Sequence, residues 1–92
     1  MCNLEKIQSS FKFKGKLYKV HFVVKDDMFS PIVEEFVFSF LGLKIWKVKE
    51  TSRQINLTKE EVYSFKMSDS LKVIGFLREY ARGVMGTNVQ IV

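Results

Sequence analysis

The most constraining stretch of this chain is Phe11 to Lys25. Phe11-Lys12-Phe13-Lys14 alternates apolar and charged residues strictly. Gly15 interrupts, and Lys16-Leu17-Tyr18-Lys19-Val20-His21-Phe22-Val23-Val24-Lys25 continues in strand-forming residue types. This pattern predicts a β-hairpin. A two-residue loop at Lys14-Gly15 sets Phe13 against Lys16 and Phe11 against Tyr18. One side of the ribbon then carries Phe11, Phe13, Tyr18, Val20, Phe22 and Val24; the other carries Lys12, Leu17, Lys19, His21, Val23 and Lys25. A three-residue loop would move Phe11 and Phe13 to the side of Lys19 and His21. One residue of slip turns a whole strand face over, so the even loop is the consistent one. The expectation is a ribbon with an aromatic inner face and a basic outer face.

The charge of the molecule concentrates in the same region. Residues 1–25 hold six lysines against Glu5 alone, whereas residues 26–92 hold nine bases and nine acids, so the formal net charge of +5 belongs to the first quarter. Such asymmetry points to an acidic partner. Most of the bases are Lys rather than Arg, the weaker choice for bidentate recognition of phosphate or guanine.

Beyond Asp26-Asp27, Ser30-Pro31 has the form of a helix start, with Ser as N-cap and Pro at the first helical position. Ile32, Val33, Phe36, Val37, Phe40 and Leu41 then follow a helical spacing, Glu34 and Glu35 fall in dipole-favoured first turns, and Gly42 reads as the residue after the helix. Phe38 falls off that apolar stripe. Leu43–Glu50 reads as a strand, with Trp46 and Val48 on one side and Ile45, Lys47 and Lys49 on the other. Trp46 is expected as a core anchor. Thr51-Ser52-Arg53-Gln54 suits a turn and Ile55-Asn56-Leu57 a short return strand. Thr58-Lys59-Glu60-Glu61 has capping-box spacing for a short helix carrying Val62, Tyr63 and Phe65. A last helix is expected from Leu71 to Met85, with Val73, Ile74, Phe76, Leu77, Tyr80, Ala81, Val84 and Met85 on its apolar arc. Gly75 and Gly83 lie on its polar side, where each weakens it unless something approaches closely. Gly86 ends it, and Asn88–Val92 reads as a terminal strand. The 92 residues make one α+β domain, residues 1–8 frayed, in the order β-β-α-β-β-α-α-β. Its mainly antiparallel sheet has four or five strands, with two to three helices on one face.

Chemistry-bearing motifs are scarce. A single Cys, Cys2, offers no internal disulfide, and with His21 as the lone histidine a structural zinc site lacks its ligands. No run of apolar residues is long enough to span a bilayer, and Met1–Lys6 lacks the apolar run of a secretory leader. These features suit a reduced, cytoplasmic protein without a membrane partner. No phosphate-cradling glycine loop, nucleophile elbow or zinc-protease helix occurs. No cofactor and no resident metal are expected. His21 reads as an ordinary strand histidine on the solvent side.

Three functions are open to such a chain. The favoured one is a non-enzymatic modulator, inhibitor or adaptor that presents Lys12, Lys14, Lys16, Lys19 and Lys25 to the acidic surface of a larger protein. Phe29 and Phe38 are its candidate aromatic anchors, or the seam of a homodimer. A short, motif-poor chain of this kind suits a modulator encoded by a phage or mobile element. The second is nucleic-acid binding, the same lysines contacting phosphates. A secondary basic patch could form from Lys44, Lys47, Lys49, Arg78 and Arg82. The third is a small acid-metal hydrolase built on Asp26, Asp27, Glu34 and Glu35.

Overall fold

A computed structural model describes residues 3–49 and 55–86, and the backbone of 90–91. Cys2, the turn expected at 51–54 and Asn88, Val89 and Val92 lie outside the described residues. A 3₁₀ turn, Leu4–Lys6, leads into β1 (Gln8–Phe13), β2 (Lys16–Lys25), β3 (Met28–Phe40) and β4 (Leu43–Val48), then α1 (Lys59–Lys66), α2 (Ser70–Met85) and a short β5 (Gln90–Ile91). The strands form one antiparallel sheet in the order β4-β3-β2-β1-β5. The fold is α+β, and among the described residues it has two α-helices, the lower of the two to three expected. Within the segment expected to fray, Leu4 is 1% exposed and part of the core.

Four strands form a meander joined by three two-residue turns, Lys14-Gly15, Asp26-Asp27 and Leu41-Gly42, and all six turn residues have positive φ. This backbone matches the twist of paired strands, so it gives the tightest hairpin. The first hairpin has the expected register, Phe11 opposite Tyr18 and Phe13 opposite Lys16. Phe11, Tyr18, Val20 and Phe22 are buried on its inner side, and Phe11 stacks on Tyr18 with ring centroids 5.4 Å apart.

The helix expected from Ser30-Pro31 is instead the second strand of a hairpin. Lys25 pairs with Met28 across Asp26-Asp27, and the ladder continues through Phe22–Pro31 to Tyr18–Glu35. Phe29, Pro31 and Val33 are buried, whereas Ser30, Ile32 and Glu34 between them are only partly so. Pro31 is tolerated because β3 is uncovered at that point. Its neighbours Phe29 and Val33 turn their carbonyls away from β2, to the N–H groups of Leu57 and Lys49, each at 2.8 Å. The nitrogen of Pro31 faces the gap between those two contacts, where no ladder needs a donor. A cleft of about 340 Å³ opens there, lined in part by Pro31, Val33, Val48, Ile55 and Tyr80. Ile55–Leu57 forms no strand, although Leu57 is buried.

Both helices cover the inner face. The Thr58 capping box is formed, Thr58 Oγ1 accepting from the Glu61 N–H and Glu61 Oε1 from the Thr58 N–H. Asp69 caps α2 by accepting from the Lys72 N–H at 3.0 Å. α2 lies over β1, β2 and β3, burying Val73, Leu77, Tyr80 and Ala81. Phe22 is the hub of the core. It stacks on Phe76 of α2 at 6.0 Å, meets Phe65 of α1 at 6.5 Å and takes Phe29 of β3 edge-on at 6.3 Å.

Two substitutions test the backbone reasoning. An added Cβ at Gly75 meets nothing within 4 Å, so no close approach requires glycine there. Gly75→Ala therefore raises stability by about 1 kcal/mol. Leu41 has φ 51° and is 87% exposed, so its side chain gives back little for the strain. Leu41→Asn, forming the preferred Asn-Gly turn, raises stability by about 1 kcal/mol. Urea unfolding midpoints check both.

Candidate protein-binding surface

The five lysines of the first hairpin do not share one face. Lys12 is exposed on β1. Lys14 lies in the turn with its ammonium 5.3 Å from the centroid of the Phe13 ring. Lys16 pairs with Phe13, which places it on the helix side, and its Nζ lies 3.2 Å from Glu35 Oε1. Lys19 sits opposite Glu34 with its ammonium 4.4 Å over the Trp46 ring. Lys25 lies at the far end of the sheet, beside the Asp26-Asp27 turn. β2 is a central strand with β1 and β3 on its flanks, so the lysine ribbon is part of a wider sheet and is not free to enter a groove alone.

Carboxylates also interrupt the outer face. His21 is half-buried, and its Nε2 donates to Glu34 Oε1 while Nδ1 lies 3.2 Å from the Phe22 carbonyl oxygen. Glu34 thus stands between Lys19 and His21. Trp46, expected in the core, packs on this outer face against Phe36 at 5.5 Å. The four acids weighed as a metal site do not gather. Asp26 and Asp27 form a turn, while the adjacent strand residues Glu34 and Glu35 point to opposite faces. Among the described residues, no group of three or more His, Cys, Asp or Glu is placed to hold a metal ion.

The secondary patch also divides. Lys44, Lys47 and Lys49 lie along β4 and its end, whereas Arg78 on α2 donates to Ser9 Oγ of β1 at 3.3 Å. β1 and β4 are three strand spacings apart, roughly 14 Å. Arg82 pairs with Glu79 at 2.5 Å. Of the two candidate anchors, Phe29 is buried, 8% exposed, because the Asp26-Asp27 hairpin gives it an inward position against Phe22. Phe38 is 50% exposed.

Phe38 belongs to an apolar arm that the helical reading of residues 31–41 concealed. Phe36 pairs with Trp46 but Phe38 pairs with Ile45, so Val37 is an extra residue, a β-bulge. Directly opposed residues share a face. Trp46 and Ile45 are consecutive and face opposite ways, so Phe38 lies on the other face from Phe36. The bulge sends Phe38 and Phe40, with Ile45 and Leu43 opposite them, to the helix side of the sheet. No helix covers them there: Phe40 is 61% and Leu43 67% exposed. The Leu41-Gly42 turn, a glycine dipeptide between two apolar runs, was the sequence signal for this arm.

The arm and the Lys14-Gly15 tip lie at the same end of the meander. Tyr18 is level with Glu35, so β3 runs on beyond the tip before turning back. Lys14, Lys16, Lys44 and Lys47 surround this end, with Glu35 as the acid between Lys16 and Lys47. Burial first, and then the Glu35 carboxylate, push the Tyr18 hydroxyl above its ordinary pKa of 10.0, with Lys16 opposing. No matching family model, curated protein or solved structure is found for the chain. Among the described residues, no helix is long and apolar enough to cross a membrane.

The Tyr18 shift has a sign that can be checked. Above pH 10.0 the unfolded chain releases this proton before the folded one does, so folding stability falls as pH rises through that range. Tyr18→Phe loses less stability than the parent between about pH 9 and about pH 11 in urea unfolding experiments.

Proposed function

We propose that this chain is a non-enzymatic binding protein, a modulator or adaptor working in a reducing, cytoplasmic setting. It holds a larger acidic protein through the end formed by the Lys14-Gly15 tip and the β3–β4 arm. One observation carries this reading: an 87% exposed leucine, Leu41, in the left-handed conformation at the apex of an arm that also exposes Phe38, Phe40 and Leu43. Strain of this kind costs about 1–2 kcal/mol. Large apolar side chains left in water around it return nothing to folding. Contiguous exposed apolar groups bordered by charge are the anatomy of a protein-contact site. The aromatic rings supply affinity, and the surrounding lysines speed encounter with an acidic surface.

The test compares the parent chain with Phe38→Asp/Phe40→Asp. Both positions are at least half exposed, so the double variant keeps the parent's circular dichroism and thermal midpoint. A stoichiometric protein complex recovered from the source cells survives nuclease treatment and is weakened at least about 30-fold by the double variant. Loss of the complex on nuclease treatment overturns the reading. So does unchanged binding by the variant alongside loss when Lys12, Lys14, Lys16 and Lys19 are changed to Glu. The first result assigns the lysines to a nucleic-acid backbone, with the steep salt dependence that such contacts bring, and the second assigns binding to the lysine hairpin without the arm.

A further inference from the structure

We infer that β4 accepts an extended acidic segment of the partner protein as an added antiparallel strand. This rests on the protein-binding reading above and specifies its mode. β4 is the outermost strand, and among the described residues β3 is its sole ladder partner. A two-residue turn makes Phe40–Leu43 a mutually hydrogen-bonded pair, and at the other end the Lys49 N–H donates to Val33 O at 2.8 Å. The ladder alternates between these points. Leu43, Ile45 and Lys47 therefore use their backbone groups on β3, whereas Lys44, Trp46 and Val48 turn theirs outward. β4 contains no proline, and the bulge at Val37 lies in β3, so two common devices for blunting an edge are absent from this strand.

Charge selects the occupant. Residues 43–49 read Leu-Lys-Ile-Trp-Lys-Val-Lys, three lysines and no acid. A second copy of this strand would bring three more lysines and no carboxylate to the seam, which disfavours self-pairing. The complementary antiparallel segment places acids opposite Lys49, Lys47 and Lys44, and apolar residues opposite Val48, Trp46, Ile45 and Leu43. Backbone pairing supplies the affinity of such an addition, and alternate side chains supply its specificity.

The probe is a capped peptide, Glu-Val-Glu-Val-Val-Glu-Val, titrated into the ¹⁵N-labelled full chain. Two controls accompany it: the same peptide with lysine for glutamate, and one N-methylated at the amides that would donate to β4. Strand addition slows amide exchange at Lys44, Trp46 and Val48 by at least about tenfold, leaves Leu43 and Ile45 amides unchanged, and is lost with both controls. Equal binding by the N-methylated peptide overturns the inference, since side-chain docking then suffices. No amide shift in β4 up to about 1 mM peptide also overturns it. Concentration-dependent dimerisation of the chain alone, with the same amides protected, assigns the edge to a second copy instead. If the edge fails while Phe38→Asp/Phe40→Asp still loses the partner, strand addition alone is wrong and the binding surface stands.

Discussion

The molecule depends on the phase of its strands. Inward and outward side chains alternate with period two, so each connection between strands decides which face the next set of residues occupies. Two-residue turns with left-handed backbone at both positions hold that phase from β1 to β2 and from β2 to β3. As a result Phe11, Tyr18, Val20, Phe22, Phe29 and Val33 all arrive on one side and become core. The helices have an apolar surface to cover because this phase is kept. Phe22 sits where they meet the sheet, in contact with rings from β3, α1 and α2. The second hairpin shows that the backbone requirement can be met without glycine. Asp tolerates the left-handed region better than most side chains, and Asp26-Asp27 occupies both turn positions.

The phase is reset at the Val37 bulge. Without it, Phe38 and Phe40 would continue on the outer face with Phe36. With it, they reach the helix side beyond the area that the helices cover. The same event separates two kinds of aromatic residue in one strand. Phe36 finds Trp46, which in turn receives the Lys19 ammonium. Phe38 and Phe40 have water. The outer face thus pairs His21 with Glu34 and Lys19 with the Trp46 ring, while Phe38, Phe40, Leu41 and Leu43 stay exposed together at one end.

What could be read from the residues follows from this geometry. Alternation around Lys14-Gly15 was sufficient for the first hairpin's register because one face there is apolar and the other charged. The capping box at Thr58 and the periodicity of α2 were legible for similar reasons, each being local. Residues 30–42 misled because β3 carries apolar side chains on both faces: Val33 inward, Ile32 and Phe36 outward. A strand apolar on both sides shows no clean alternation, and its near-continuous run also satisfies helical spacing. Ser30-Pro31 added a genuine start signal, and only the uncovered edge at Pro31 makes proline harmless in the strand. Phe29 was misassigned with them, since its burial follows from the hairpin. The partners of the lysines were beyond local inference. Lys16 meets Glu35 and Lys19 meets Trp46 across β2–β3–β4, contacts that exist only once the meander has formed.

The lysines of β4 then take on a double role. An exposed edge strand beside apolar side chains is a template for indiscriminate pairing, and Lys44, Lys47 and Lys49 oppose it by repelling identical strands. Repulsion between like charges is also selection for the opposite charge. The feature that keeps two copies apart is therefore the one that admits an acidic segment, and an overall charge of +5 draws such a segment from a distance. Specificity here requires no pocket. In the proposed mode it arises because a carboxylate-bearing neighbour pairs with the lysines as well as with the backbone of the strand.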